Sequence, residues 1–292
     1  MIKFISYIFS YPFMLFATLA IVGVSAISGT IGTYVTINRF SYIAGALSHS
    51  ILFGLGFFNY LGSIFKENSP QIVKFFNPLN GAFLSAILFS LITGYLFNSK
   101  KERLDTILSA IWSIGMSLGV LFMFLTPGYN QELTRYLFGS ILLVSIKDLI
   151  ILFCFAFIII IIFTLFYKKI LSISFDNEFA SLMGQNSKIF NLIVIFIISF
   201  AVVLLTQVVG IVLLIALLTL PSATVLKFNF SFKKTMFFSG ILTLFAGFAG
   251  LIISFNYDLP PSPVIIIILG FAYILSLSIK NFQNKIKMKP YI

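Results

Sequence analysis

Long apolar runs, separated by short charged gaps, make up almost the whole chain. A helix advances 1.5 Å per residue and the hydrocarbon core of a bilayer is about 30 Å thick, so one crossing takes about 20 apolar residues. Cutting the chain at its charges gives runs of that length. The first lies between Lys3 and Arg39, with a span from about Pro12 to Ile37. Phe40 to Phe65, Phe75 to Ser99, Thr106 to Gln131 and Leu149 to Tyr167 follow. Ile189 to Leu226 holds 38 residues without a charge, about 57 Å as one helix and nearly twice the core. It divides into two spans, with Thr206, Gln207 and Gly210 as the turn. Thr235 to Tyr257 is the eighth span. Leu259 to Ile279 is the ninth, opened by the helix-breaking Pro260, Pro261 and Pro263. Tyr136 to Ile146 is too short to cross and reads as an interfacial or re-entrant helix. The pattern predicts an all-α polytopic membrane protein of about nine transmembrane helices, or eight if one run lies along the surface. It forms a single transmembrane domain over residues 1–292, with a cytoplasmic segment at about 172–188.

Composition narrows the class further. Sixty per cent of the chain is apolar and 9% charged, too little polar surface for a soluble fold of this length and too much apolar surface for disorder. The single Cys154 excludes a disulfide scaffold. Nineteen basic residues against eight acidic ones give a net charge of +11. These basic residues occupy the gaps between spans, which is the pattern of topology-setting charge rather than of a nucleic-acid surface. With the N-terminus outside and the C-terminus cytoplasmic, 14 of the 19 face the cytoplasm. The N-terminal residues resemble the start of a signal peptide, but no convincing cleavage site follows, so they read as an uncleaved segment.

The interior is nearly devoid of titratable groups. His49, a third of the way along the second span, is the only histidine, and no acidic residue falls in the middle of a span. A proton-coupled carrier needs an intramembrane carboxylate or histidine relay, and an intramembrane hydrolase needs a nucleophile with a base or several metal ligands. A passive or partner-driven conduit fits better. His49 has two readings: its imidazole meets a transition metal in passage, or it hydrogen-bonds a neighbouring helix. No P-loop sequence occurs, so any ATPase is a separate chain. In the fourth span Ser109, Ser113 and Ser117 recur every fourth residue, with Gly115 and Gly119 as a GxxxG pair beside them. They read as a helix-packing surface inside the bundle. Ser174 to Gly184 predicts a short cytoplasmic helix, with Asp176 as its N-cap, Glu178 in its first turn and Gly184 as its stop. Such a helix docks a partner or lies flat on the membrane.

Five segments in this order resemble the zinc/manganese/iron permeases of bacterial ABC importers. RFSYIAGALSHSILFG (Arg39 to Gly54) is similar to that family's Gly-Asp-Ala-Leu-Ser-His signature, and LDTILSAIWSIGMSLGV (Leu104 to Val120) to its Asp-Thr span. YLFGSILLVSIKDL (Tyr136 to Leu149) and VVGIVLLIALLTLPSAT (Val208 to Thr224) resemble two further segments. FDNEFASLMG (Phe175 to Gly184) resembles its cytoplasmic Asp-x-Glu-x-Ala-x-x-x-Gly. The resemblance implies a homodimeric permease of a plasma (inner) membrane importer for manganese, zinc or iron. It implies cytoplasmic ATPase subunits that bind the ATP, an extracytoplasmic metal-binding receptor and no bound cofactor. Asp176, Glu178, Ala180 and Gly184 then transmit the ATPase motion, and His49 meets the metal. The signature's Asp is Gly45 here, and Ser262 stands where the family often has Gly. Without the Asp, His49 lacks its expected carboxylate partner on the same helix: either an outer carboxylate such as Glu67 substitutes, or the path binds metal more weakly, or the chain carries another species such as iron. An iron-chelate or cobalamin permease of the same architecture is the neighbouring alternative, and an ion-coupled secondary carrier the more distant one.

Overall fold

The computed structural model describes residues 10–65, 74–99, 103–127, 136–137, 139 and 141–287. Helix α1 (Pro12–Ile27) passes through a π-helical turn, Ser28–Gly32, into α2 (Thr33–Ile37). The rest of the chain forms α3 (Ser41–Phe65), α4 (Pro78–Ser99), α5 (Leu104–Leu125), α6 (Ile146–Leu165), α7 (Tyr167–Phe175) and α8 (Asn177–Leu182). It continues through α9 (Ser187–Val209), α10 (Ile211–Leu226), α11 (Phe232–Tyr257) and α12 (Pro261–Lys287). Among the described residues there is no strand, and eight helical segments are long and apolar enough to cross a membrane. The protein is an all-α polytopic membrane protein. A ninth apolar helix, α10, has 16 residues and is about 24 Å long, short of the hydrocarbon thickness. Most of its apolar side chains are buried, Ile211, Leu213, Leu214 and Leu218 completely, while Val212 is 44% exposed. A helix walled in by protein need not match the bilayer.

Helix ends follow local chemistry. The 38-residue apolar run breaks at Gly210 alone, whose backbone (φ 81°, ψ 164°) only glycine adopts readily. Thr206 and Gln207 stay within the last turn of α9. Ser145 and Asp148 form a reciprocal capping box at the start of α6, and Asn186 caps α9 by accepting from the Ile189 N–H at 3.2 Å. The region expected as an interfacial helix between Tyr136 and Ile146 is not a continuous helix. Gly139 has a positive φ of 65°, and the described residues after it make one 3-10 turn, Ile141–Leu143.

The chain divides into two compact units. One holds α1, α2, α6, α10 (from Val212), α11 and α12; the other holds α3, α4, α5, α8 and α9. In the first, α1 meets α6 and α11 through glycines. A Cβ on Gly29 would lie 2.7 Å from the Met236 carbonyl, and one on Gly247 2.5 Å from Ile21. Two backbone defects face each other here. Pro221 lies inside α10 and supplies no N–H to the Leu217 carbonyl one turn back. Ser28, at the start of the π turn, donates to that carbonyl at 2.5 Å, and its Oγ also lies 2.9 Å from Thr243 Oγ1. Ser222 donates to the Gly32 carbonyl at the other end of the turn, at 3.1 Å.

In the second unit α3 is the hub. Close backbone contact needs glycine at its crossings: a Cβ on Gly54 would collide with the Gly81 carbonyl of α4, and one on Gly56 with the Gly119 carbonyl of α5. A Cβ on Gly115 would lie 2.6 Å from the Ser50 Cα. The expected packing surface of α5 thus splits in two. Gly115 and Gly119 are buried in the α3 contact, whereas Ser109, Ser113 and Ser117 are exposed. The reason is helical geometry: two residues advance the helix by about 200°, so Ser113 and Gly115 cannot share a face. Of the three serines, Ser109 still touches α3, by a short hydrogen bond with the Tyr42 hydroxyl.

Candidate functional site

His49 sits on α3, eight residues after its start, on the same face as Gly45 one turn earlier. Ser48, its neighbour in the signature, is fully buried and donates to the Ala44 carbonyl at 2.6 Å. Its hydroxyl serves its own helix. The imidazole stacks on the indole of Trp112 from α5, with centroids 4.4 Å apart and planes 14° from parallel. Its Nδ1 is enclosed and has no hydrogen-bond partner among the described residues, so the helix-pairing hydrogen bond is not what Nδ1 does here.

The same indole explains position 45. A Cβ on Gly45 would lie 3.1 Å from Trp112 Cζ3, tighter than an ordinary van der Waals contact. A side chain of any length there would push against the ring that stacks on His49. Glycine at 45 and tryptophan at 112 are therefore one packing solution, in which an aromatic face stands where a carboxylate would otherwise project. Trp112 is the chain's only tryptophan, but its spacing within α5 does not reveal its partner. Tyr42 also packs on it, tilted, with centroids 6.0 Å apart.

Along α5 the exposed Ser109, Ser113 and Ser117 form a polar stripe. A groove of about 650 Å³ continues it, lined by Met116, Ser117, Val120, Leu121, Phe124 and Leu125. Glu67 lies outside the described residues. Among the described residues no group of three or more His, Cys, Asp or Glu could hold a metal ion, and His49 heads no multidentate site built from them.

The expected short helix is present as α8. Asp176 immediately precedes it, and its carbonyl accepts the Ala180 N–H at 3.1 Å; Glu178 is within the helix. Ala180 is fully buried, and α8 packs on α9. Gly184 ends the motif with φ 78°, and the Gln185 N–H returns to the Ala180 carbonyl at 3.0 Å, a left-handed helix stop. A Cβ on Gly184 would meet nothing within 4 Å, so only backbone conformation selects glycine there. Around this anchored turn Phe175, Leu182 and Met183 are 74%, 86% and 67% exposed.

A bundle of membrane-crossing helices with a short exposed helical turn and one half-buried imidazole is the architecture of a polytopic membrane protein. Residues 10–280 match the ABC 3 transport family, and the chain belongs to that family. A relative from Chlamydia trachomatis named "Probable metal transport system membrane protein" is 33% identical over 281 residues, 96% of this chain and 94% of that protein. The "High-affinity zinc uptake system membrane protein ZnuB" of Buchnera aphidicola subsp. Baizongia pistaciae is 28% identical over 267 residues, 91% of this chain and 97% of that protein. Among solved structures, PsaBC from Streptococcus pneumoniae in complex with Fab matches with a TM-score of 0.84. It covers 99% of this chain and 100% of that one at 23% identity, a likeness of fold.

Proposed function

We propose that the protein is the membrane permease of an ATP-driven importer of divalent first-row metal ions, of the manganese, zinc or iron class. The observation that carries this reading is family membership across residues 10–280, supported by relatives whose names specify metal transport and zinc uptake. The mechanism is physical. Two copies of the chain form the path, and separate ATPase subunits and an extracytoplasmic metal receptor bias inward- and outward-open states by binding them unequally.

His49 is the residue that meets the metal. With Nδ1 enclosed and the ring held against Trp112, the Nε2 edge is left to act as a neutral nitrogen donor. One imidazole per chain, with a π face where a carboxylate would otherwise stand, holds a divalent ion weakly, which suits a site that must release its cargo. The serine stripe of α5 supports pairing of two copies, since hydroxyls on an otherwise apolar crossing helix gain little from lipid. The exposed Phe175, Leu182 and Met183 around α8 offer the ATPase an apolar docking surface, and the buried Ala180 transmits its motion to α9.

Cells lacking the chromosomal copy and carrying wild type or His49→Ala provide the test, with manganese, zinc and iron content measured in each. Loss of accumulation of one of these metals, at unchanged membrane abundance, is expected. Wild-type content of all three metals in His49→Ala would remove His49 from the path. Uphill uptake by the purified chain alone, without an ATPase, would overturn the reading as a whole.

A further inference from the structure

Helices α1, α6 and α11 enclose a groove of about 500 Å³ within the first unit. Along α11 it extends from Lys233 to Leu244, about 16 Å of helix and close to the depth of one leaflet of a 30 Å core. Gly29 and Gly240 both line it. At that level the π turn after α1 meets α11 through backbone, a Cβ on Gly29 lying 3.0 Å from Gly240 Cα, so no side chain fills the hollow.

The walls suit hydrocarbon. The serine and threonine hydroxyls that line it already donate to backbone carbonyls one turn earlier: Ser25 to Val22 at 2.7 Å, Thr30 to Ala26 at 2.8 Å and Thr164 to Ile160 at 2.8 Å. Those protons are spent on backbone, which leaves the phenol of Tyr167, next to Lys233, as the lining hydroxyl that can meet a polar head group. The mouth, in contrast, suits an anion. Lys233 Nζ stands 4.5 Å from the centroid of the Tyr167 ring, held there by a cation–π contact. Lys168, Lys169 and Lys234 adjoin these two residues in sequence. The described carboxylates of this unit lie at the opposite helix ends, Asp148 in the first turn of α6 and Asp258 at the C-cap of α11.

We propose that this groove binds an anionic glycerophospholipid of the leaflet that faces these lysines, with one acyl chain between α6 and α11 and the phosphate against Lys233. Positive-inside topology makes that leaflet the cytoplasmic one. The site is independent of the metal being carried.

Full-length protein in mild detergent is incubated with phosphatidylglycerol bearing a photoreactive diazirine on one acyl chain, or with phosphatidylcholine of the same chains. Retained lipid is counted by native mass spectrometry and crosslinks are mapped. Phosphatidylglycerol is expected to be retained about fivefold over phosphatidylcholine, the effect of one lysine near a lipid surface, with crosslinks on Phe237, Ile241 or Leu244. Lys233→Gln removes that preference. Thr164→Trp, at an exposed wall position, lowers retention of both lipids while leaving the fold intact by circular dichroism. Equal retention of the two lipids by the wild type overturns the proposal, as do crosslinks that map outside the groove. A lipid-free dimer that Thr164→Trp dissociates also overturns it and gives the groove to a second copy of the chain.

Discussion

The hydrogen bond from Ser28 to the Leu217 carbonyl, 2.5 Å long and fully enclosed, exists because Pro221 cannot donate to that carbonyl. Ser28→Ala leaves a buried carbonyl without a donor. In soluble proteins that costs about 1–3 kcal/mol. Hydrogen bonds between membrane helices average about 0.6 kcal/mol and reach about 1.7. The enclosure of both partners and the absence of a competing helical N–H place this one near the upper figure, about 1.5 kcal/mol. Pro221→Ala returns an N–H to the Leu217 carbonyl, so in that background Ser28→Ala should cost only what it loses at Thr243, about 0.5 kcal/mol. The expected coupling between the two substitutions is therefore about 1 kcal/mol. Titration of the purified protein from mild detergent into SDS, followed by far-ultraviolet circular dichroism, measures all four corners of the cycle, with Ser28→Thr as a control that keeps the hydroxyl. Equal costs of Ser28→Ala in the two backgrounds would refute the claim that the serine answers the proline.

Two further outcomes follow from the second unit. Gly45→Asp alone should disturb the Trp112 stack and lower metal uptake, whereas Gly45→Asp with Trp112→Ala has room for the carboxylate beside His49 and should bind manganese at least tenfold more tightly than Trp112→Ala alone. Equilibrium dialysis of the purified chain reads this, and equal affinity in the two variants would show that the carboxylate does not reach the imidazole. Gly184→Ala keeps all of its packing but places a Cβ in a left-handed conformation, at a cost of about 1–2 kcal/mol. It should reduce coupling of ATP hydrolysis to uptake in the reconstituted complex while the membrane helices melt as in the wild type. Wild-type coupling in this variant would leave the turn without a transmission role.

The crossing helices were legible because their signal is one-dimensional. Charges mark the gaps, Pro12 and Pro261 mark two starts, and Gly210 marks the break in the longest run. The short helix at Asn177–Leu182 was legible for the same reason, since Asp176 and Gly184 are local start and stop residues. What the sequence hid was tertiary. Nothing in SAISGTIGT announces a π turn at Ser28–Gly32, because the turn is stabilised by partners about 190 residues away in α10. The stacking of Trp112 on His49 is hidden in the same way: it depends on which face of α5 meets α3, and the glycines decide that. The opposite placement of the α5 serines and glycines could have been read, since a separation of two residues always puts side chains on opposed faces of a helix.

These placements bear on how such a chain can move cargo. The described carboxylates all stand at helix ends: Asp105 in the first turn of α5, Asp148 in that of α6, Asp176 before α8 and Asp258 after α11. Several interior hydroxyls donate to carbonyls of their own helix, as Ser48, Thr219 and Thr224 do, so they hold backbone rather than relay protons. Among the described residues the spans hold no carboxylate with which a proton gradient could drive a cycle, and on the proposed function His49 supplies only a place for the cargo to pause. On that reading the energy enters mechanically, from outside the spans. On the proposed function the anchored turn around Ala180 and Gly184 receives it: a buried alanine ties the turn to α9, and Phe175, Leu182 and Met183 are exposed to a partner.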